Sequence, residues 1–403
     1  MVYVISEHFT HNRGQAMLKG MTRTRRATIA MLFVGLAIFS CLYPTQAMLP
    51  TLVEDMGMSS TEAAMTISAA TGALAVCVIP VSIISERIGR GKLLLVSTIA
   101  ATLIGMLVPL APNPEILIAT RALQGAVIAG APATAMAWIS EELESNYVAR
   151  AMGLYIAGTT IGGLTGRLIP TGLLELTSWR WALFGSSLVT LILAIIAAIL
   201  LPYQQNFTPK EIHFRSELSA IFRHGRDTRL IPLFIVAFVA MGTFVSLYNF
   251  LGFRLIHHFH LSPGLAGLVF LFYLTGTWSS ARAGRLVTQV GHANTLLLSC
   301  ALFAVGIALC AGSLIPTLLG IVLLTIGFFA AHSTASGWVG HIATHDRAEA
   351  SSLYVFFYYL GSSVLGALSG MLFDALPWPG FIATYALLAV GIAGMSWVVR
   401  KTG

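Results

Sequence analysis

The sequence predicts an all-α polytopic membrane protein, and three observations predict it. Hydrophobic residues fill 56% of the 403 positions and charged residues only 10%, a balance foreign to water-soluble domains. Apolar runs of about 20 residues, the length a helix needs to cross a hydrocarbon core ~30 Å thick, recur along the chain. Lys and Arg gather on alternate connections between those runs, as they do when they resist translocation.

The runs lie at 27–50, 61–84, 93–111, 115–139, 150–174 and 180–201, then at 230–256, 264–283, 294–312, 316–340, 350–373 and 379–399. Twelve crossings are therefore expected. Residues 1–26 read as a flexible cytoplasmic leader, 27–201 as a first six-helix bundle and 202–229 as a polar central link. Residues 230–399 read as a second six-helix bundle and 400–403 as a short tail.

With the N-terminus inside, every Lys and Arg of the chain except Arg121, Arg167, Arg180 and Arg254 falls on one face. Acidic Glu54, Asp55, Glu62, Glu115, Glu175 and Asp374 fall toward the other. Both termini and the central link are thus expected in the cytoplasm. The net charge of +7 follows from this asymmetry and calls for no nucleic acid; Arg23, Arg25 and Arg26 suit anionic lipid headgroups. Cys41, Cys77, Cys300 and Cys310 lie inside apolar runs without metal-ligand spacing, as small packing residues. No phosphate loop, His-Glu-x-x-His pair or paired intramembrane carboxylate is present, so nothing points to a membrane enzyme, a metal or a bound cofactor.

Glycines recur at small-xxx-small spacing, as Gly158, Gly162 and Gly166 on the fifth run and Gly366 and Gly370 on the eleventh. One helix face of small residues lets backbones approach closely. With Gly163, the fifth-run set is expected to pack tightly and to hinge during a conformational cycle.

The connection after the second run reads Ser82-Ile83-Ile84-Ser85-Glu86-Arg87-Ile88-Gly89-Arg90-Gly91-Lys92; that after the eighth reads Gly284-Arg285-Leu286-Val287-Thr288-Gln289-Val290-Gly291-His292. Both resemble the Gly-x-Leu-x-Asp-Arg-x-Gly-Arg loop of the major facilitator superfamily, which recurs once in each half. The first copy has Ser82 for Gly and Glu86 for Asp; the second is neutral at the charged positions. Arg121-x-x-Gln124-Gly125 is similar to the Arg-x-x-Gln-Gly pattern of proton-coupled antiporters. Residues 153–167 resemble the glycine-rich fifth helix of the drug:proton antiporter branch, without its proline. The segments 274–280, 328–338 and 351–363, with Gly153-Leu154-Tyr155, are similar to the YnfM-like, arabinose-efflux-permease-like inner membrane transport proteins.

The resemblance implies two pseudo-symmetric six-helix bundles working by alternating access, most simply as a proton-coupled exporter of a drug-like, sugar-like or metabolite solute. Proton-coupled uptake or facilitated diffusion of a small organic solute or anion is the alternative within the class, and a membrane receptor or enzyme the alternative outside it. It further implies an inner-membrane, multi-pass, monomeric protein whose partners are a small molecule, protons and lipids. Glu86, Arg87, Gly89 and Arg90 are expected to form a cytoplasmic latch.

Cargo is expected at mid-depth between the halves, against Tyr43, Gln46, Tyr155, Tyr248, Asn249, Trp278, Tyr354, Phe357 and Tyr358. Aromatic rings with few charges suit a weakly polar solute. No Asp or Glu lies mid-helix, so proton coupling is expected to fall to His332, with Arg121 and Arg167 as intramembrane charges expected to have a functional role. Glu175 and Asp374 are the candidate partners of Arg167. Arg121→Ala is expected to abolish transport in a protein that still folds.

Overall fold

A computed structural model describes residues 21–207, 209 and 214–402. The described chain is helical throughout. Its elements are α1 (Arg23–Leu42), α2 (Leu49–Met56), α3 (Ser60–Ile88), α4 (Arg90–Leu107), α5 (Pro114–Ile128), α6 (Gly130–Glu142), α7 (Ser145–Leu174) and α8 (Trp179–Leu200). A link helix α9 (Phe214–Gly225) is followed by α10 (Ile231–Phe253), α11 (Pro263–Gly267), α12 (Tyr273–Leu309), α13 (Leu314–Ile342), α14 (Arg347–Ala375) and α15 (Trp378–Thr402). Residues 1–20, where most of the expected leader falls, lie outside the described residues, as do Lys210 and Gly403. The leader's last residues are not loose: Thr22 caps α1 by accepting from the Arg25 amide, and the helix starts at Arg23.

Ten helical stretches among the described residues are long and apolar enough to cross a membrane. Two features separate this number from twelve. Pro263–Leu309 is one stretch of 47 residues, within which the eighth and ninth runs join across a bend at Gly291 (φ 83°). The 30-residue α7 falls short in apolarity because glycines, threonines and Arg167 dilute its aliphatic side chains.

Two of the runs expected to be continuous break at a proline, and a third, 264–283, tightens into a 3-10 turn at 268–272. The first ends at Leu42 because Pro44 has no amide to continue the ladder and disfavours helical Tyr43 (φ −118°, ψ 16°). The fourth divides at Ala129 because Pro132 leaves the Ile128 carbonyl without its i+4 partner. The second run instead extends to Ser60–Ile88, opened by a capping box in which Ser59 and Glu62 satisfy each other's amides. It closes on Gly89, whose φ of 105° needs glycine. Gly291 takes the same position in the second loop copy, again with positive φ.

Each half is knit by backbone contact. A methyl group on Gly158, Gly162 or Gly166 would overlap the α1 backbone at Leu32, Leu36 or Ser40, and one on Gly361 would overlap Phe238 of α10. The halves meet where α3 runs antiparallel along α14. The Ser363 hydroxyl donates to the Ser68 carbonyl at 2.8 Å, Ser362 to Thr71 at 3.3 Å, and Gly370 lies on Thr61. This pairing puts the Ile88 end of α3 beside the Arg347 end of α14. The bundle therefore has a basic end, holding Arg23, Arg90 and Arg223, and an opposite acidic end, holding Glu54, Glu62, Glu175 and Asp374. At the basic end, the Asp227 carboxyl is held below the usual carboxylate range, chiefly by the Arg229 guanidinium that donates to it.

Candidate transport site

The break in the first run exposes backbone carbonyls inside the first half, and Arg121 takes them. Its Nε donates to the Thr66 carbonyl at 3.0 Å and Nη1 to Cys41 at 2.9 Å, while Nη2 reaches Leu42 and Nη1 also reaches Gln124. Gln124 passes the network on to the Ala101 carbonyl at 2.9 Å. Arg121 therefore caps the C-terminus of α1, where the free carbonyls and helix dipole favour a cation. It joins α1, α3 and α5 without touching the second half.

Arg167, on α7, lies at the seam between the halves. Its Nε donates to the Gln46 side chain at 2.7 Å and its Nη1 to its own helix at Gly163 at 2.5 Å. Gln46 in turn donates to Asn249 of α10 at 2.7 Å. The guanidinium carbon is 4.0 Å from the Tyr43 ring centre, 4.6 Å from Tyr273 and 5.2 Å from Phe270, a cation–π enclosure drawn from both halves. Neither of its expected carboxylate partners is used: Glu175 takes the Gly264 amide instead. Among the described residues no carboxylate pairs with Arg167 or Arg121.

Aromatic rings run from this point into the second half. Tyr273 meets Phe244 at 5.4 Å between centres, Phe244 stacks on Phe328 at 4.0 Å, and Phe328 lies 6.2 Å from His332. His332 Nδ1 is 3.0 Å from the Tyr354 hydroxyl and its ring 4.5 Å from Tyr358. Tyr248 joins through Tyr273 (5.0 Å) and its hydroxyl pairs with Thr325 at 2.8 Å. Phe357 stacks on Phe234 at 5.4 Å. Tyr155 is buried with an unpartnered hydroxyl.

Trp278 does not join them. It is 55% exposed and lines a separate cleft of about 410 Å³ between α12 and α13, with Arg282 over its ring at 4.2 Å. The register of α12 explains this: Gly276 and Ser279 face α13, which turns Trp278 outward. Sequence reasoning also missed Tyr273, Phe270 and Phe244. Their spacing within an evenly apolar stretch reads as packing, and only the tight turn at 268–272 brings Phe270 and Tyr273 to the seam.

The hydrogen bonds, ion pair and ring contacts described across the seam lie at mid-depth or toward the acidic end of the bundle. They are Gln46–Asn249, Glu175–Gly264, Ser68–Ser363, Thr71–Ser362, Glu54–His257 and the Arg167 ring contacts. At the basic end Arg90 binds Glu86 at 2.9 Å and also Glu141, Arg23 binds Glu142, and Arg223 binds Asp346. None of these joins one half to the other. Gly89 shapes the turn before Arg90.

Two helical bundles meeting at a seam, built of helices long and apolar enough to cross a membrane, define a polytopic membrane protein. The chain belongs to the major facilitator superfamily: the family description "Major Facilitator Superfamily" matches residues 27–255 and 233–402. It is 35% identical over 378 residues to the inner membrane transport protein YnfM of Escherichia coli K12, covering 93% of this chain and 91% of that one. It is 33% identical over 374 residues to the MFS-type transporter YybF of Bacillus subtilis, covering 92% and 93%. A variant of the nucleoside transporter NupG shares the fold, with a TM-score of 0.78 at 13% identity over 93% of this chain and 99% of that one. The chain is thus a multi-pass inner membrane transporter, and a small-molecule substrate goes with the family.

Proposed function

We propose that the protein is a secondary transporter that exports a small organic solute against proton entry, rocking its two halves about the Arg167 seam. In this reading α7 and both parts of Pro263–Leu309 each cross the bilayer, giving twelve crossings with both termini, the link and the basic end in the cytoplasm. The observation that carries it is where the described seam contacts fall: Gln46–Asn249, Glu175–Gly264 and the Arg167 rings join the halves at mid-depth and toward the acidic end. Such a bundle is closed to one compartment, and breaking one set of contacts while making another opens it to the other.

Glu86 and Arg90 supply the second set. With Glu141 they form a charge cluster at the α3–α4 turn that can dock on the opposite half when the basic end closes. His332, beside Tyr354 and Tyr358 and remote from any carboxylate among the described residues, is the candidate proton carrier. Counterflow of solute in proteoliposomes, with and without a pH gradient, tests the reading. Export coupled to protons predicts accumulation that collapses with the gradient; flux indifferent to it leaves facilitated diffusion.

A further inference from the structure

We infer that the Arg167 seam binds the anionic head of the cargo, a monocarboxylate whose apolar or aromatic body lies along the rings toward His332. This rests on the transporter reading and adds the chemical class of the solute.

A guanidinium carries five N–H groups, and Arg167 commits two, to Gln46 and to Gly163. Its faces are covered by Tyr43, Tyr273 and Phe270, so a ligand reaches it along an edge, the approach that carboxylates take to arginine. Two further polar atoms beside it are buried without a partner: Asn249 Nδ2 and the Tyr273 hydroxyl. Asn249 is 1% exposed and Tyr273 is 7% exposed. Both can donate, and with the uncommitted Arg167 N–H groups they leave this cluster short of an acceptor. An ionised carboxylate has two oxygens and only accepts. A cationic solute would meet a fixed positive charge and no carboxylate. A dianion would bring a second negative charge to a seam with one cation, since Arg121 is already taken up by carbonyls of the first half. Beyond the head, Phe244, Phe328 and the Tyr358 ring make a mainly apolar path, which suits a planar or aliphatic body.

The experiment compares acid and amide partners of one shape: benzoate with benzamide, phenylacetate with phenylacetamide and cinnamate with cinnamamide, each scored by the melting temperature of the purified full chain at neutral pH. The inference expects at least one acid to raise Tm where its amide does not. That shift should vanish in Arg167→Gln, survive in part in Arg167→Lys and weaken in Asn249→Ala, which covers the case in which Arg167→Gln does not fold. Amides matching their acids, no acid-selective shift in any pair, or a shift untouched in Arg167→Gln and Asn249→Ala would overturn it. A ligand-free control separates the two readings: a disulfide between Ser68→Cys and Ser363→Cys, with the native cysteines replaced, reports closure of the acidic end. If that cross-link forms only partly and labelling shows the seam opening, transport by rocking stands even when every acid fails. If the seam never opens, the transporter reading itself has failed.

Discussion

Arg121 and Arg167 look alike in the sequence and differ in the fold. Both are intramembrane arginines on helices of the first half, 0% and 2% exposed, and neither has a carboxylate partner among the described residues. Arg121 answers a defect in its own half: α1 ends at Leu42, its carbonyls need donors, and the guanidinium supplies them. Arg167 bridges two bodies and is only partly used by either. A buried charge satisfied inside one rigid unit stabilises that unit. A buried charge shared across a seam responds when the seam moves, and this is what a ligand or a gate requires.

The largest expected effect therefore belongs to Arg121. Arg121→Ala leaves the carbonyls of Cys41, Leu42 and Thr66 and the Gln124 side chain without their donor, at about 1–3 kcal/mol for each buried group left unpaired. Most of the folded yield should be lost, measured by size-exclusion profile and Tm. Arg121→Lys should recover little, since one ammonium cannot replace a planar fork that spans three helices. This revises the expectation drawn from the sequence, in which Arg121→Ala stays folded and only transport fails. A well-folded Arg121→Ala protein would erase the contrast between the two arginines.

Arg167→Gln comes next and should separate folding from function. It removes two hydrogen bonds at a place already short of acceptors, so Tm should fall by only a few degrees. Losing a charged partner for the cargo, worth about 1.5–3 kcal/mol, should weaken solute binding roughly ten- to a hundredfold. Equal losses of Tm and flux would make Arg167 another structural knot.

The same contrast runs through the glycines. Gly158→Ala forces a methyl into the Leu32 backbone of α1 within one half, and overpacking of that kind costs about 1–3 kcal/mol, to be read as a lower Tm. Gly370→Ala forces one into Thr61 across the seam, where the halves can part to relieve it. Its Tm should change less, while the Ser68–Ser363 cross-link yield drops several-fold. Both stripes have one spacing in the sequence, and nothing there tells a weld from a sliding face.

That ambiguity marks how far the sequence was legible. Most helix positions follow from apolar length, because the bilayer fixes that length whatever the tertiary packing. Arg121, Arg167, Gln46, Asn249 and Tyr43 stand out as polar or aromatic residues in apolar runs, and the fold gathers four of them at one seam. The breaks at Tyr43 and Ala129 follow from Pro44 and Pro132 and set which carbonyls need donors, but the identity of the donor depends on helix packing that no local pattern encodes. Trp278 failed for that reason: one position of helical phase separates the Ser279 face on α13 from the exposed face of Trp278, and an apolar run without a polar side does not reveal its phase.

The smallest effect on stability is expected at His332, and the largest on pH response. His332→Gln keeps a donor and an acceptor near Tyr354 and loses at most one neutral hydrogen bond, about 1 kcal/mol, so Tm should scarcely move. His332 sits at the far end of the aromatic series from Arg167, with Tyr354 and Tyr358 beside it, so a proton there changes the charge of the seam without touching the cargo's head. If His332 carries the proton, flux in His332→Gln should lose its dependence on the pH gradient, while acid-selective binding at Arg167 persists. An unchanged pH profile returns His332 to packing against Phe328, and then the arginine seam alone distinguishes this bundle's moving parts from its fixed ones.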